Sequence, residues 1–150
     1  MKPITYSLQF RGQAAQLERG LRKQARAPGC ALVTSLTRAG VQGTFVWAPD
    51  DDEAFLESTL TFTDRGAFDE AGTIFFSRGH SLRVCGRGQL ASSADTQLLH
   101  GTVVWEVAGG EGQFEGASGR ITSNFLLSDT GEVTENQLGV IFAAVARDRP

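Results

Sequence analysis

The sequence predicts an all-β protein: a single antiparallel barrel of about eight strands spanning residues 1–150, with at most one short helix. Short segments that alternate apolar and polar residues recur along the chain, and turn signals separate them about every 8–12 residues. This spacing is typical of an antiparallel sandwich or a closed barrel. Because several strands carry apolar groups on both faces, we favour a barrel whose outer wall is also covered, for example by an oligomer.

The first part of the chain contains four predicted strands, which we place at 5–11, 31–37, 42–48 and 54–63. Between the first two strands, Ala14, Leu17 and Leu21 have helical spacing, although Gly20 weakens the pattern. We therefore predict a short helix or turn over residues 13–24. An acidic turn at 49–53 separates the third strand from the fourth.

The second part of the chain contains five further predicted strands, at 72–78, 82–90, 100–107, 120–127 and 138–145. Residues 129–132 (DTGE) form the turn before the last of them. No repeat, linker or low-complexity tract interrupts the series, which is why we predict one domain.

A glycine-rich corner between residues 103 and 125 is the most informative stretch. Val103, Trp105 and Val107 alternate with their neighbours as in a strand, and the alternation resumes at 121–125. Phe114 and Ala117 are the apolar residues inside the corner. Glycines at 109, 110, 112, 116 and 119 allow the positive φ values and close approaches that a tight corner needs.

Composition argues against two classes of partner. The formal charge is −3, and the 14 lysines and arginines are scattered, whereas phosphate binding needs a concentrated positive patch. The densest basic stretch, 19–26 (RGLRKQAR), is short and lacks interleaved aromatic residues, so we predict a solvated surface there. We therefore expect no nucleic-acid partner. We also expect no membrane span, since no run approaches the roughly 20 apolar residues required.

The amino terminus, MKPITYSLQF, lacks the apolar core of a secretory signal, so we expect a cytoplasmic protein. Cys30 and Cys85 lie far apart and form no CxxC pair. Two free thiols are the plainer interpretation, with a single disulfide as the alternative.

The sequence predicts neither a metal nor a cofactor. His80 and His100 are the two histidines; neither HxH nor HxxxH spacing occurs, and each is expected at the surface or the rim. The glycines at 110 and 112 lead into a strand pattern, whereas a dinucleotide-binding loop would lead into a helix.

The corner GGEGQFEGASGRITSNF resembles the GGxGxFxGAxG hairpin of the allene-oxide-cyclase-like barrels. This group includes plant allene oxide cyclases, dirigent proteins, bacterial spirotetronate-type cyclases and bacterial relatives. The likeness extends over about the last two thirds of the chain. It implies an eight-stranded barrel, often a dimer or trimer, that holds an apolar substrate without a cofactor. No catalytic set of the family matches this sequence residue by residue.

Three polar residues within predicted strands are candidate catalytic groups: Glu57, Glu106 and Asn124. A carboxylate in an apolar cavity has a raised pKa and can act as a general acid or base. Glu57 lies outside if Leu56 and Leu60 face inward, and inside if that strand faces the other way. The same two alternatives are open for Glu106, while Asn124 could orient a substrate carbonyl.

Candidate ligand contacts come from the aromatic residues of the predicted strands, together with Cys85, whose arginine neighbours could lower its pKa. These residues are Phe55, Phe62, Phe76, Cys85, Trp105 and Phe125.

We therefore expect a cofactor-free cyclase or isomerase that acts on a small, mostly apolar molecule inside the barrel, largely by holding it in a reactive shape. The alternatives are a barrel that only binds such a molecule and an oligomeric structural protein without a ligand.

Overall fold

A computed structural model describes residues 1–28, 30–47 and 52–144. Its strands are β1 (Lys2–Leu17), β2 (Gly20–Ala27), β3 (Cys30–Thr37), β4 (Gly40–Trp47), β5 (Ala54–Asp64), β6 (Ala67–Phe75), β7 (Ser81–Ser92), β8 (Leu98–Glu111), β9 (Ser118–Ser128) and β10 (Glu132–Ala143). A single 3₁₀ turn, Gly112–Phe114, separates β8 from β9.

Eight of the strands close into an antiparallel barrel in the order β1-β10-β9-β8-β7-β6-β5-β2. β3 and β4 form a separate two-stranded hairpin in the connection from β2 to β5, and β3 packs beside β1. The predicted fold class is thereby confirmed. Within the described ranges, no helix is long and apolar enough to cross a membrane.

The predicted helix or turn over residues 13–24 is wrong as a helix. Gln13 to Leu17 end β1, a turn follows, and β2 starts at Gly20 and pairs with β1 through Ala14 and Lys23. Each of these strands gains a second partner, β10 for β1 and β5 for β2. Tertiary pairing of this kind overrides a weak local helical pattern.

The two ends of the barrel differ. The tight turns after β1, β5, β7 and β9 lie at one end. The opposite end carries the start of β1, the 76–80 turn after β6 and the glycine-rich corner after β8; we call this end the mouth.

The glycine-rich corner closes as predicted. Gly109, Gly112, Gly116 and Gly119 all have positive φ, between 66° and 146°. The corner buries Phe114, whose ring lies 5.3 Å from that of Phe76 across the mouth. This contact joins the corner to the 76–80 turn.

Inward-facing residues alternate along the barrel strands and form one core cluster, which includes Phe10, Leu60, Phe68 and Trp105. The outer wall is apolar in places, since Leu138, Val140 and Phe142 of β10 are 40–52% exposed. Apolar groups thus occur on both faces, as the sequence indicated.

Candidate functional site in the barrel interior

Three charged side chains lie within the apolar core of the barrel. Lys23 of β2, Glu70 of β6 and Glu135 of β10 are 1%, 2% and 0% exposed. Each lies in the inward register of its strand, next to apolar residues two positions away. Charges are rarely buried to this extent unless they are paired, which makes the cluster the strongest candidate site.

The Lys23 ammonium connects the two carboxylates. It donates to Glu135 Oε1 and lies 2.8 Å from Glu70 Oε2. The ammonium also lies 4.2 Å from the centre of the Phe125 ring and 5.6 Å from that of Trp105. Aromatic faces of this kind stabilise a desolvated cation.

Glu70 is held by two further donors. Ser58 Oγ donates to Oε2 at 2.6 Å, and Trp105 Nε1 donates to Oε1 at 3.2 Å. Both carboxylate oxygens are thereby satisfied, as a buried carboxylate requires.

A second branch leads from Glu135 towards the mouth. Gln137 Nε2 donates to Glu135 Oε2 at 2.7 Å, and Tyr6 Oη donates to Gln137 Oε1 at 2.8 Å. One continuous network therefore runs from Tyr6 on β1 to Ser58 on β5 and Trp105 on β8.

The electrostatics of the cluster follow from two carboxylates sharing one ammonium. Burial lowers the pKa of Lys23, but the Glu135 and Glu70 carboxylates raise it by more, so Lys23 stays charged. Burial and the nearby Glu135 raise the pKa of Glu70 despite the attraction of Lys23. Glu70 therefore keeps a proton to higher pH than an ordinary glutamate.

Inward-facing residues at the mouth are only half-buried, in contrast to those of the mid-barrel core. They are Ile4, Tyr6, Leu8 and Phe76. The Tyr6 ring meets that of Phe76 edge-on, with ring centres 5.1 Å apart. Burial, and then the Glu135 charge, raise the pKa of Tyr6 above its usual value, so Tyr6 remains a neutral phenol.

The structure places all three predicted catalytic residues on the outer face and does not bring them together. Leu56 and Leu60 face inward, so Glu57 lies outside, where it pairs with Arg22; the Arg22 hydrogen bond lowers the pKa of Glu57. Glu106 pairs with Arg120 at 3.4 Å.

Asn124 is also exposed, and its Oδ1 lies 3.0 Å from His100 Nε2 on the neighbouring strand β8. The outward alternative of the sequence analysis therefore holds for Glu57 and Glu106. The expected position of Asn124 beside a cavity is not found.

The predicted ligand contacts divide into two groups. Trp105 and Phe125 lie in the interior against Lys23, and Phe76 lies at the mouth. The other three lie outside the interior. Phe55 and Cys85 lie on the outer face, as the alternation of β5 and β7 requires. Phe62 shares the inward register of Leu60 but is 43% exposed near the turn end of β5.

Both cysteines are free thiols in the structure. Cys30 is buried at the start of β3, and Cys85 is exposed on the outer face of β7. The disulfide alternative is therefore not found in this structure.

Sequence reasoning missed Lys23, Glu70 and Glu135. The predicted solvated surface over 19–26 is wrong for Lys23, which shares the inward register of Ala25 and Ala27. A signal was present in each case: a charge occupies an inward position of an alternating strand. Lys23 was missed because residues 13–24 were interpreted as a helix or turn. Glu70 and Glu135 were missed because the predicted strands began at residues 72 and 138, whereas β6 and β10 begin at Ala67 and Glu132.

No protein-family model matches this chain, and no curated protein matches it in sequence. Two solved structures of pterocarpan synthase dirigent proteins share the fold. PsPTS1 is 15% identical over 97% of this chain and 97% of that chain, with a TM-score of 0.59. GePTS1 is 14% identical over 95% and 92%, with a TM-score of 0.53.

At these identities the likeness shows the fold alone. It agrees with the eight-stranded barrel that the sequence predicted and the structure shows.

Proposed function

We propose that this protein is a cofactor-free cyclase or isomerase that acts on a small, mostly apolar organic molecule entering at the mouth. The observation that carries the proposal is the buried Lys23–Glu70–Glu135 cluster, which lies beneath a half-buried aromatic entrance. Barrels of the same fold are called pterocarpan synthases, so this architecture is compatible with synthase chemistry.

The apolar residues of the mouth would hold the substrate in a reactive shape. Ile4, Leu8 and Phe76 offer apolar surface there, and Phe76 is itself braced by Phe114. Restricting a flexible molecule to one near-reactive conformation lowers the entropic part of the barrier without a cofactor.

The cluster would supply the proton chemistry. Glu70 is a carboxyl group whose raised pKa lets it keep its proton to higher pH than an ordinary glutamate, as a general acid requires. Lys23 fixes the geometry of both carboxylates, and its ammonium stabilises negative charge that develops near them. In this proposal Glu70 acts on the proton, and Lys23 and Glu135 position and tune it.

The proposal is tested by incubating the purified protein with a small-molecule extract of its own organism. Cyclisation or isomerisation leaves the mass of a compound unchanged, so we expect a compound whose chromatographic retention changes at constant mass. Glu70→Gln should abolish the conversion, while Glu57→Gln, the same change on the outer wall, should retain it.

Conversion that survives Glu70→Gln in a folded protein would contradict the assigned role of the cluster. An extract left unchanged by the parent protein would contradict the proposed activity itself.

A second candidate function, a barrel that binds an apolar molecule without converting it, is favoured by one observation. The charged groups of the cluster satisfy one another and form a complete hydrogen-bond network. Native mass spectrometry of protein from its own source separates the two candidates. A stoichiometric bound molecule, released unchanged and never converted, indicates the binding protein.

We also propose a homo-oligomer, either a dimer or a trimer. The exposed apolar residues of β10, Leu138, Val140 and Phe142, form an outer surface that a second copy could cover. The native mass of the intact protein tests this directly, and a monomeric mass at micromolar concentration would contradict it.

A further inference from the structure

We infer that Tyr6 Oη and Ser123 Oγ form a polar subsite that takes the hydroxyl group of a neutral ligand. The inference rests on the proposed binding of a small molecule at the mouth and specifies the class of that molecule. Two independent features carry it: the fixed direction of the hydrogen-bond chain at Tyr6, and an unpaired buried hydroxyl at Ser123.

The direction of the hydrogen bonds from Tyr6 through Gln137 to Glu135 follows from which groups can donate and which can only accept. A carboxylate only accepts, so Gln137 must turn its amide NH₂ towards Glu135 and its carbonyl oxygen towards Tyr6. That carbonyl also only accepts, so the single Tyr6 hydroxyl hydrogen is committed to Gln137. Towards a ligand, Tyr6 Oη can therefore only accept.

Ser123 supplies the complementary group. Its side chain faces inward on β9, opposite Gln137 of β10 and Val103 of β8. Among the buried side-chain nitrogen and oxygen atoms of the described residues, Ser123 Oγ is the one without a hydrogen-bond partner. A serine hydroxyl can both donate and accept, and leaving it unpaired in a core costs stability.

Ser123 is paired directly with Gln137 on the β9 side of β10, whereas Tyr6 is paired with Gly139 on the β1 side and reaches Gln137 with its hydroxyl group. A ligand hydroxyl in this position could donate to Tyr6 Oη and accept from Ser123 Oγ. A carbonyl or ether oxygen could only accept from Ser123, because it carries no hydrogen to donate to Tyr6. A carboxylate would lie buried without a cation of its own, because Lys23 is already paired with Glu70 and Glu135.

The test compares three small probes: benzyl alcohol, benzaldehyde and benzyl methyl ether. Their dissociation constants are measured by NMR titration for the parent protein and for Tyr6→Phe, Ser123→Ala and Ser7→Ala. Ser7 lies on the outward face of β1, next to Tyr6, and serves as the matched control for loss of a hydroxyl.

For the parent protein and Ser7→Ala we expect benzyl alcohol to bind about three- to tenfold more tightly than the ether, the worth of one net hydrogen bond. Tyr6→Phe should bring that ratio close to one, because the alcohol then loses its acceptor. Ser123→Ala removes a donor that the alcohol and the ether share, so it should weaken the binding of both probes by a similar factor and leave their ratio unchanged. Comparing ratios between variants cancels the intrinsic difference in hydrophobicity between the probes. Ser123→Ala removes only an unpaired hydroxyl, so it should fold at least as stably as the parent.

An unchanged ratio in Tyr6→Phe, or unchanged binding of all three probes in Ser123→Ala, overturns the subsite and leaves the apolar binding site in place. Tighter binding of benzaldehyde than of benzyl alcohol shows that Tyr6 donates, which also overturns the inference. If none of the probes perturbs the resonances of the mouth or the interior, the proposed function at the mouth fails, and the subsite fails with it.

Discussion

At the scale of single residues, Lys23 is the side chain whose burial most needs explanation. Its ammonium contacts the carboxylates of Glu135 and Glu70 and the face of the Phe125 ring, so each side of the charge meets a favourable group. Removing one partner from such a set leaves an uncompensated buried charge, which costs far more than the intact set contributes.

We predict that Lys23→Met lowers the free energy of unfolding by about 3–5 kcal/mol, because Glu70 and Glu135 would then face each other without a cation. Urea denaturation followed by circular dichroism measures the loss. An unchanged urea midpoint of unfolding would show that the Lys23 ammonium does not stabilise the two buried carboxylates.

The matched control replaces the whole cluster. Lys23→Met combined with Glu70→Leu and Glu135→Leu removes all three charges and fills a similar volume. We expect this variant to recover part of the stability lost in the single substitution, because no uncompensated charge remains, although Ser58, Trp105 and Gln137 lose their acceptors. A triple variant as unstable as the single one would contradict this account.

Tyr6 and Lys23 also predict how stability depends on pH. Both pKa values are raised on folding, so above pH 10.0 for Tyr6 and 10.5 for Lys23 the native state binds more protons than the unfolded state. Their stabilisation is complete below these values and is lost as the pH rises through the folded pKa values, by about 1.4 kcal/mol per pH unit for each group.

Urea midpoints from about pH 8 to about pH 12 test this dependence. Tyr6→Phe should start less stable, because Gln137 Oε1 loses its donor, but should lose stability less steeply at high pH. If stability falls equally steeply with pH in Tyr6→Phe and in the parent protein, the Tyr6 phenol does not contribute to the pH dependence.

At the scale of elements, inward-facing glycines make room for aromatic rings on neighbouring strands. The cross-strand pairs are Tyr6 with Gly139, Phe125 with Gly101 and Phe68 with Gly88. A Cβ atom added at any of these glycines would lie 2.0–2.3 Å from the facing ring. Each ring can therefore lie directly over the facing glycine on the inner wall of the barrel.

We predict that Gly139→Ala destabilises the protein by about 1–3 kcal/mol, because the new methyl group would lie 2.2 Å from Tyr6 Cε1 and the ring must shift. Gly43→Ala is the matched control in a strand, since its added methyl group meets its nearest atom at an ordinary 3.6 Å. We expect Gly43→Ala to change stability by less than about 0.5 kcal/mol.

Chemical denaturation measures both changes, and the Tyr6 ring resonances should move in Gly139→Ala alone. Equal effects of the two substitutions would show that the ring–glycine contact does not decide the cost.

At the scale of the whole molecule, the barrel and the β3–β4 hairpin are built differently. The barrel strands each have two neighbours, whereas β3 and β4 pair only with each other. The hairpin leaves large apolar side chains exposed, among them Leu36 at 81%, Val41 at 72% and Trp47 at 56%. An isolated two-stranded hairpin adds little stability of its own in water.

We predict that the barrel folds without the hairpin. Ala27 and Ala54 are directly paired at the ends of β2 and β5, so Asn-Gly can replace residues 28–53 as a two-residue turn. The shortened protein should unfold cooperatively and lie within about 2 kcal/mol of the parent in stability.

Fluorescence of Trp105, the remaining tryptophan in the shortened protein, reports its unfolding. Leu36→Ser combined with Val41→Ser is a milder variant, which should improve solubility with little change in stability. Loss of the cooperative transition on deletion would show that the hairpin belongs to the folding unit.

The all-β class, the closed barrel and the glycine-rich corner could be predicted from the amino-acid sequence alone. These follow from local rules: alternation sets the strands, as in 54–63 and 120–127, and glycines at 109, 112, 116 and 119 allow the corner. For β5 the alternation left both orientations open, and the structure places Leu56 and Leu60 inside and Glu57 outside.

The candidate site, in contrast, depends on how the strands are arranged in three dimensions. Lys23, Glu70 and Glu135 are separated by 47 and 65 positions along the chain, and a charge at an inward strand position does not by itself identify its partners. Closing β2, β6 and β10 into one barrel brings them into contact. A buried charge is stable only when oppositely charged or hydrogen-bonding groups contact it. Which residues make those contacts depends on the order of the strands in the barrel, and a local sequence pattern does not specify that order.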